Sequence, residues 1–146
     1  MNWRISVGAP LLTLHLLCVG VHAAEEPLPE TIQFNRHVRP ILSDKCYACH
    51  GPDDKARKAD LRFDLPLDIS TAPVAGSAIV PGNPDASELV RRILTTDAED
   101  QMPPADQKKQ LSTRDKAMLQ AWIAQGAEYE PHWAYLPPTN PEAPDV

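Results

Sequence analysis

Apolar residues recur along this chain mainly at helical spacing. From Thr31 onward, Phe34, Val38, Ile41 and Leu42 fall at i, i+4, i+7 and i+8, one face of a helix. Pro40 lies inside that stretch and removes a backbone donor, so a kink or a restart is expected there. A second helix is signposted by Asn83 as a cap and Pro84 at the first helical position. Ala86, Leu89, Val90, Ile93 and Leu94 then recur at i, i+3, i+4, i+7 and i+8. Asp85 and Glu88 occupy its early turns and Arg91 and Arg92 its last, as the helix dipole favours. A third helix starts at Ser112, with Asp115 three residues on in a capping-box arrangement. Met118, Leu119, Trp122 and Ile123 form its apolar face, and Gly126 supplies a stop. Between the first two helices, Leu61, Phe63 and Leu65 alternate with Arg62 and Asp64, which predicts a short strand. Ile79-Val80, just before Pro81-Gly82, would pair with it as a short β-hairpin in the 61–80 loop. The pattern is therefore that of a mostly α domain with three main helices and no internal repeat.

The ends of the chain read differently. Arg4, the apolar stretch Leu11 to Val21 and the small residues around Val21-His22-Ala23 form a secretory signal peptide over residues 1–23. The apolar run is too short to span a membrane, so no transmembrane segment is expected after cleavage, and an uncleaved anchor is the weaker reading. Residues 24–30 are acidic and bear prolines, as a flexible leader would. The helical patterns delimit a domain over residues 31–128. Residues 129–146 form a Pro-rich tail or linker, and the five prolines after residue 130 keep it from building a core.

Composition narrows the possibilities. The 146 residues carry a net charge of −6, which argues against general affinity for nucleic acid or for anionic membrane. Aromatic residues make up only 5%, few for a domain that must bury a core unaided, and a bound cofactor would fill that gap.

Signal cleavage removes Cys18 and leaves only Cys46 and Cys49. Cys46-Tyr47-Ala48-Cys49-His50 is C-x-x-C-H, the attachment pattern for c-type haem. Two cysteines on one turn can each add across a haem vinyl group to give two thioethers. The adjacent His50 is then placed beneath the iron as the fixed axial ligand. A thioredoxin-type dithiol would want a strand before the motif, where a helical pattern stands, and a helix after it, where Gly51-Pro52 stands. A structural zinc-binding module would want a fourth ligand, to be recruited from His37, His132 or a carboxylate.

A six-coordinate haem needs a second axial ligand. Methionine is a good candidate, because a thioether favours reduced iron. Of the two methionines left after cleavage, Met118 lies on the apolar face of the third helix and reads as packing. Met102 lies in Asp100-Gln101-Met102-Pro103-Pro104, where paired prolines stiffen the backbone and prevent helix. His37 and His132 are the rival ligands, one among charged neighbours and one beyond the third helix.

Together these features resemble the class I cytochrome c fold: helix, C-x-x-C-H, long loop, helix, Met loop and closing helix. They also resemble a narrower group, the planctomycete-type cytochrome c domain. The likeness rests on the run from Phe34 to Leu42, Asp60-Leu61-Arg62-Phe63-Asp64, and Ile79-Val80-Pro81-Gly82-Asn83-Pro84. It continues through Ser87-Glu88-Leu89-Val90, Met102-Pro103-Pro104, the run Trp122 to Ala127, and His132-Trp133-Ala134. It covers about residues 32 to 138. It implies a first and third helix that cross, an exposed haem edge, one covalently attached haem c on Cys46 and Cys49, and iron held by His50 and Met102. Proteins of this group usually continue beyond the His-Trp segment into larger domains, so this chain is expected to be a short member or a truncated product.

The function expected is outer-sphere, single-electron transfer outside the cytoplasm, in the periplasm or an equivalent compartment, by a carrier that is not itself an enzyme. Leu89, Ile93, Leu119 and Trp122 are candidate walls of a dry haem pocket. The partner would be a redox protein, and oligomeric state is not encoded in the pattern. A haem redox module of a larger catalytic assembly is the alternative, with a peroxidase-like enzyme behind it. Residues 36 to 62 carry seven basic groups against four acidic ones. A solvated loop is the plainer reading of that excess, and a collar that steers an acidic partner is the sharper one.

Overall fold

The computed structural model describes residues 26–66 and 78–138. The stretch expected to be a secretory signal, the middle of the 61–80 loop and the last residues of the Pro-rich segment lie outside the described residues. The described chain is mostly helical and contains no strand. Its helices are α1 (Arg39–Lys45), α2 (Tyr47–His50), α3 (Glu88–Leu94) and α4 (Thr113–Ala124). A π-helical turn, Phe34–Val38, precedes α1, and a 3-10 turn, Trp133–Tyr135, follows α4.

The expected restart at Pro40 is present, and its form follows from proline's geometry. In a continuous α-helix the Pro40 ring would strike the carbonyl four residues earlier and could not bond to it. The backbone instead widens by one residue, so that the Arg39 N–H reaches the Phe34 carbonyl, and α1 begins with Pro40 in its first turn. The widened turn buries Phe34 and Val38, and α1 adds Leu42, all nearly inaccessible to solvent.

The closing helix α4 is specified locally at both ends. At its start the Ser112 Oγ accepts from the Asp115 N–H at 3.1 Å, and the Asp115 carboxylate accepts from the Ser112 N–H at 2.9 Å. At its end the Ala127 N–H bonds to the Trp122 carbonyl and the Gly126 N–H to the Ile123 carbonyl, each at 3.0 Å. This pair of bonds requires a left-handed residue, which Gly126 supplies at φ 111°. Met118, Leu119, Trp122 and Ile123 are all buried, as the sequence predicts.

Helix α4 packs against both the π-helical turn and α3. The seam with the turn is aromatic. Phe34 lies 5.7 Å from Trp122 and 4.5 Å from Tyr129 between ring centroids, and Trp122 meets Tyr129 edge-on at 5.2 Å. The cluster thus runs one residue past the expected domain boundary at 128. Polar bonds close the same seam. The Ile32 N–H donates to Gln125 at 2.8 Å, and the Asn35 N–H donates to Glu130 at 2.9 Å. The leader is also tied down, through Arg114 to the Glu26 carbonyl and Gln125 to the Glu30 carbonyl.

Two expectations need correction. Helix α3 begins at Glu88, not at Pro84. Asn83 does cap, but over an isolated turn, its Oδ1 accepting from the Ala86 N–H at 3.1 Å. Ser87 then holds the chain in extended geometry, because its buried Oγ accepts from the Val80 N–H at 2.9 Å and donates to the Asn83 carbonyl. The 61–80 β-hairpin is absent among the described residues. The Phe63 N–H is used by the His50 carbonyl and the Val80 N–H by Ser87, so neither is available to a ladder.

Candidate haem site

The Cys46 N–H continues α1 by donating to the Leu42 carbonyl at 2.8 Å. The chain then makes the single turn α2, in which Cys49 and His50 N–H groups both point back to the Cys46 carbonyl, at 3.1 and 2.8 Å. Both cysteines and the histidine therefore project from one turn at the end of a helix anchored in the core. Both thiols are free; Cys46 is half-buried and Cys49 exposed. Burial, with a smaller push from neighbouring Cys49, moves the Cys46 thiol up to about 12.

Gly51 lets the chain leave this turn. A Cβ at that position would press on the Tyr47 carbonyl oxygen and lie 2.9 Å from the Tyr47 Cβ. Its φ of −126° is open to any residue, so close approach rather than backbone freedom demands glycine here.

The loop that follows folds back over the motif. The Lys58 N–H donates to the Cys49 carbonyl and the Phe63 N–H to the His50 carbonyl, both at 2.8 Å. Between them Ala59 and Asp60 both take left-handed geometry, at φ 55° and 50°, which reverses the chain within two residues. Arg57 fastens the start of the loop by donating to the Gly51 and Pro52 carbonyls. Arg62 pairs with Asp64 at its end and holds that carboxyl below its ordinary range.

This loop sets the state of His50. Its Nδ1 lies 3.2 Å from the Lys58 carbonyl oxygen. A carbonyl can only accept, so Nδ1 must carry the hydrogen and Nε2 keeps its lone pair for a metal. Burial lowers the His50 pKa, opposed in part by the Lys58 carbonyl, and so favours the neutral, ligating form. Phe63, buried, meets the imidazole edge-on with centroids 5.5 Å apart. Two buried hydroxyls, of Tyr47 and Tyr129, have no hydrogen-bond partner among the described residues. Buried donors left without a partner in the same core fit a group that the polypeptide itself does not supply. Two free thiols and a correctly presented imidazole nitrogen are likewise the donor set that a c-type haem requires.

Residues 46–106 match the family described as Planctomycete cytochrome C. This segment is similar to planctomycete cytochrome c. The match opens on Cys46 and closes four residues after Met102, so it holds the attachment motif and the Met loop and omits α1 and α4. A cytochrome c domain is an electron-carrier type of domain that takes haem c, and such domains are typically extracytoplasmic. No helix among the described residues is long and apolar enough to cross a membrane. No curated protein and no solved structure matches the chain.

Within the matched segment, Met102 is half-buried and belongs to a loop anchored on α3 rather than on the motif. Its N–H donates to the Arg92 carbonyl at 3.0 Å, and Pro103, joined through a cis peptide bond, is buried beside it. Gln101 and Gln110 tie the loop to its own carbonyls and to each other. Downstream, Lys109 pairs with Asp44, two residues before Cys46. The rival histidines each give a ring nitrogen to the backbone: His37 Nδ1 accepts from the Gln33 N–H and His132 Nδ1 from the Ala134 N–H. No three His, Cys, Asp or Glu side chains gather as a metal site among the described residues, which leaves the zinc reading without support. Leu89, Ile93, Leu119 and Trp122 are all buried. Trp122 belongs to the aromatic seam and donates through Nε1 to the Glu128 carbonyl, so its part is in the core.

Sequence reasoning passed over the Lys58 carbonyl and Phe63 as the His50 buttress, and read Gly51 only as a break after the motif. Gly51 had a usable signal, a glycine abutting the motif. The Lys58 carbonyl had none, since every residue has one.

Proposed function

We propose that the chain is a c-type cytochrome that carries single electrons outside the cytoplasm, with one haem c attached through Cys46 and Cys49 and axially ligated by His50 and Met102. The observation that carries this reading is the His50 imidazole, held at Nδ1 by the Lys58 carbonyl and therefore presenting Nε2, on the same turn as two free thiols. Iron in haem, when bound, supplies one-electron chemistry at a potential set by its ligands. The chain's own residues fix that ligand field. Lys58 and Phe63 keep the imidazole in one tautomer and one orientation, and α1 packs against the turn that bears it. The soft Met102 thioether favours the reduced metal.

Several basic side chains between residues 36 and 62 have partners within the domain. Arg39 bonds to Asn35, Lys45 to Asp44, Arg57 to backbone carbonyls and Arg62 to Asp64. Side chains so engaged are not arrayed toward a partner, which weighs against a steering collar. The redox partner is accordingly proposed to be a protein recognised at the haem edge rather than through a strong charge patch.

The deciding experiment is a pyridine haemochrome spectrum on protein made with the haem maturation machinery and extracted with acidified acetone. Haem that stays with the polypeptide and shows the spectrum of two thioethers is expected, with a single-thioether spectrum for Cys46→Ser or Cys49→Ser. Haem lost to the solvent would overturn the assignment. In the ferric protein a far-red Met-to-iron band, absent in Met102→Ala, is the second expected result. A high-spin ferric spectrum would remove Met102 from the ligand set.

A further inference from the structure

The charged groups of α3 form a lattice that converges on the Met loop rather than on solvent alone. Glu88 takes both arginines of the helix. Its two carboxylate oxygens accept from Arg91 Nε and Nη2, each at 2.7 Å, and Oε1 also accepts from Arg92 Nε at 2.7 Å. So oriented, Arg91 Nη1 reaches the Asp100 carboxylate at 2.8 Å. Arg92 Nη1 lies 3.8 Å from the same carboxylate and 3.4 Å from the Asp100 backbone carbonyl. Arg92 also accepts the Met102 N–H on its own carbonyl at 3.0 Å. One residue thus grips the loop on both sides of Gln101, by side chain before it and by backbone after it.

We propose that Glu88, Arg91, Arg92 and Asp100 are positioning residues for Met102, setting how often its thioether leaves its place as a ligand. The proposal rests on the reading of Met102 as the second axial ligand. The physical argument is one of direction. Partly exposed ion pairs contribute little to global stability one at a time. Their bonds join a single helical turn to Asp100, two residues before Met102, so what they oppose is the opening of that loop alone. Glu88 adds no contact to the loop itself; it orders the two long arginine side chains beforehand, which lowers the entropy lost when they engage Asp100. Opening of the loop is thereby tied to ionic strength, while the apolar seam between α4 and the π-helical turn is not.

Stopped-flow binding of imidazole to the ferric holoprotein tests this, because at saturating imidazole the rate reports loss of the native ligand. Asp100→Asn is expected to raise that limiting rate about fivefold, the factor that loss of roughly one favourable exposed pair allows. Glu88→Gln should raise it less, and the double variant should fall short of the product of the two single effects. Salt at 1 M should speed the wild type, where screening acts within about 3 Å, and leave Asp100→Asn unchanged. Thermal unfolding followed at 222 nm should shift little in Asp100→Asn, which separates local opening from general damage. Limiting rates within twofold of wild type for both variants, or equal salt acceleration in wild type and Asp100→Asn, would overturn the proposal while leaving Met102 as ligand. Met102→Ala binding imidazole no faster than wild type would instead remove the ligand assignment, and the positioning role with it.

Discussion

Replacing Phe63 with alanine tests whether the loop after the motif supports His50 or merely covers it. The Phe63 ring is 5% exposed and meets the His50 imidazole at 5.5 Å and 67°, while its N–H holds the His50 carbonyl at 2.8 Å. Truncating a buried phenylalanine to alanine costs about 3–5 kcal/mol in lost transfer energy and residual cavity. The edge-on ring pair accounts for about 0.5–1.5 kcal/mol of that. Phe63→Leu keeps most of the apolar bulk and forfeits mainly the ring pair, so it should cost about 1.5 kcal/mol. Since a domain of this kind is stable by about 5–15 kcal/mol, the alanine variant loses roughly a fifth or more of the total. Urea unfolding of the haem-bearing protein, followed by haem absorption and by far-ultraviolet circular dichroism, measures both. The haem signal of Phe63→Ala should change at lower urea than the helix signal, because the freed imidazole loses its orientation first. A loss below about 1 kcal/mol for Phe63→Ala would refute the buttress. Equal losses for alanine and leucine would show that the ring contact, not the filled volume, carries the effect.

Other outcomes follow from single features of the site. Gly51→Ala places a Cβ against the Tyr47 carbonyl and should displace the α2 turn at a cost of about 1–3 kcal/mol, seen as a smaller fraction of chains carrying covalent haem. Unchanged loading would show that the turn yields easily. Glu88 is held down to about 2 by Arg91 first and then Arg92, against an ordinary value of 4.5. A depressed carboxyl contributes stability above pH 4.5 that disappears as the pH falls from 4.5 toward 2. Solvent screening limits this to about 1 kcal/mol. The stability gap between wild type and Glu88→Gln, from urea midpoints, should therefore narrow between pH 5 and pH 2.5, and a constant gap would dismiss the linkage.

What could be read in advance tracks how local the physics is. Helix α4 was legible because its capping box, apolar face and Gly126 all lie within it or directly beside it. Pro40 was legible as a break for the same reason, although the π-helical form of that break was not. The start of α3 was misread because Ser87 is committed to Val80 in a loop that periodicity cannot place. The alternation from Leu61 to Leu65 does not carry into the fold: Phe63 is buried and Leu65, two residues on, is exposed, because one ring fits against His50 and no ladder forms. Cys46, Cys49 and His50 were visible as a spacing. The bond that makes His50 a ligand of one defined tautomer comes from a main-chain carbonyl, placed by the left-handed pair Ala59 and Asp60. No residue identity encodes it directly.

The family match and the core divide the chain unequally, and the division has a measurable consequence. Residues 46–106 hold the attachment motif and the Met loop. Yet Phe34, Val38, Leu42, Leu119, Trp122 and Ile123, among the most deeply buried side chains of the described residues, all lie outside it. Full burial of each such side chain contributes about 1.5–3 kcal/mol. Their joint removal is at least as large as the margin in the middle of the range of about 5–15 kcal/mol by which a domain stays folded. A polypeptide of residues 46–106 should therefore lack the helical circular dichroism of residues 26–138 and melt without cooperativity, whereas residues 26–138 should melt in one transition. A cooperative melt of the shorter piece would mean that Ile79, Leu89, Val90 and Ile93 suffice as a core. Short of that result, the chemistry of this domain and its stability reside in different parts of the sequence, joined where α1 runs into Cys46.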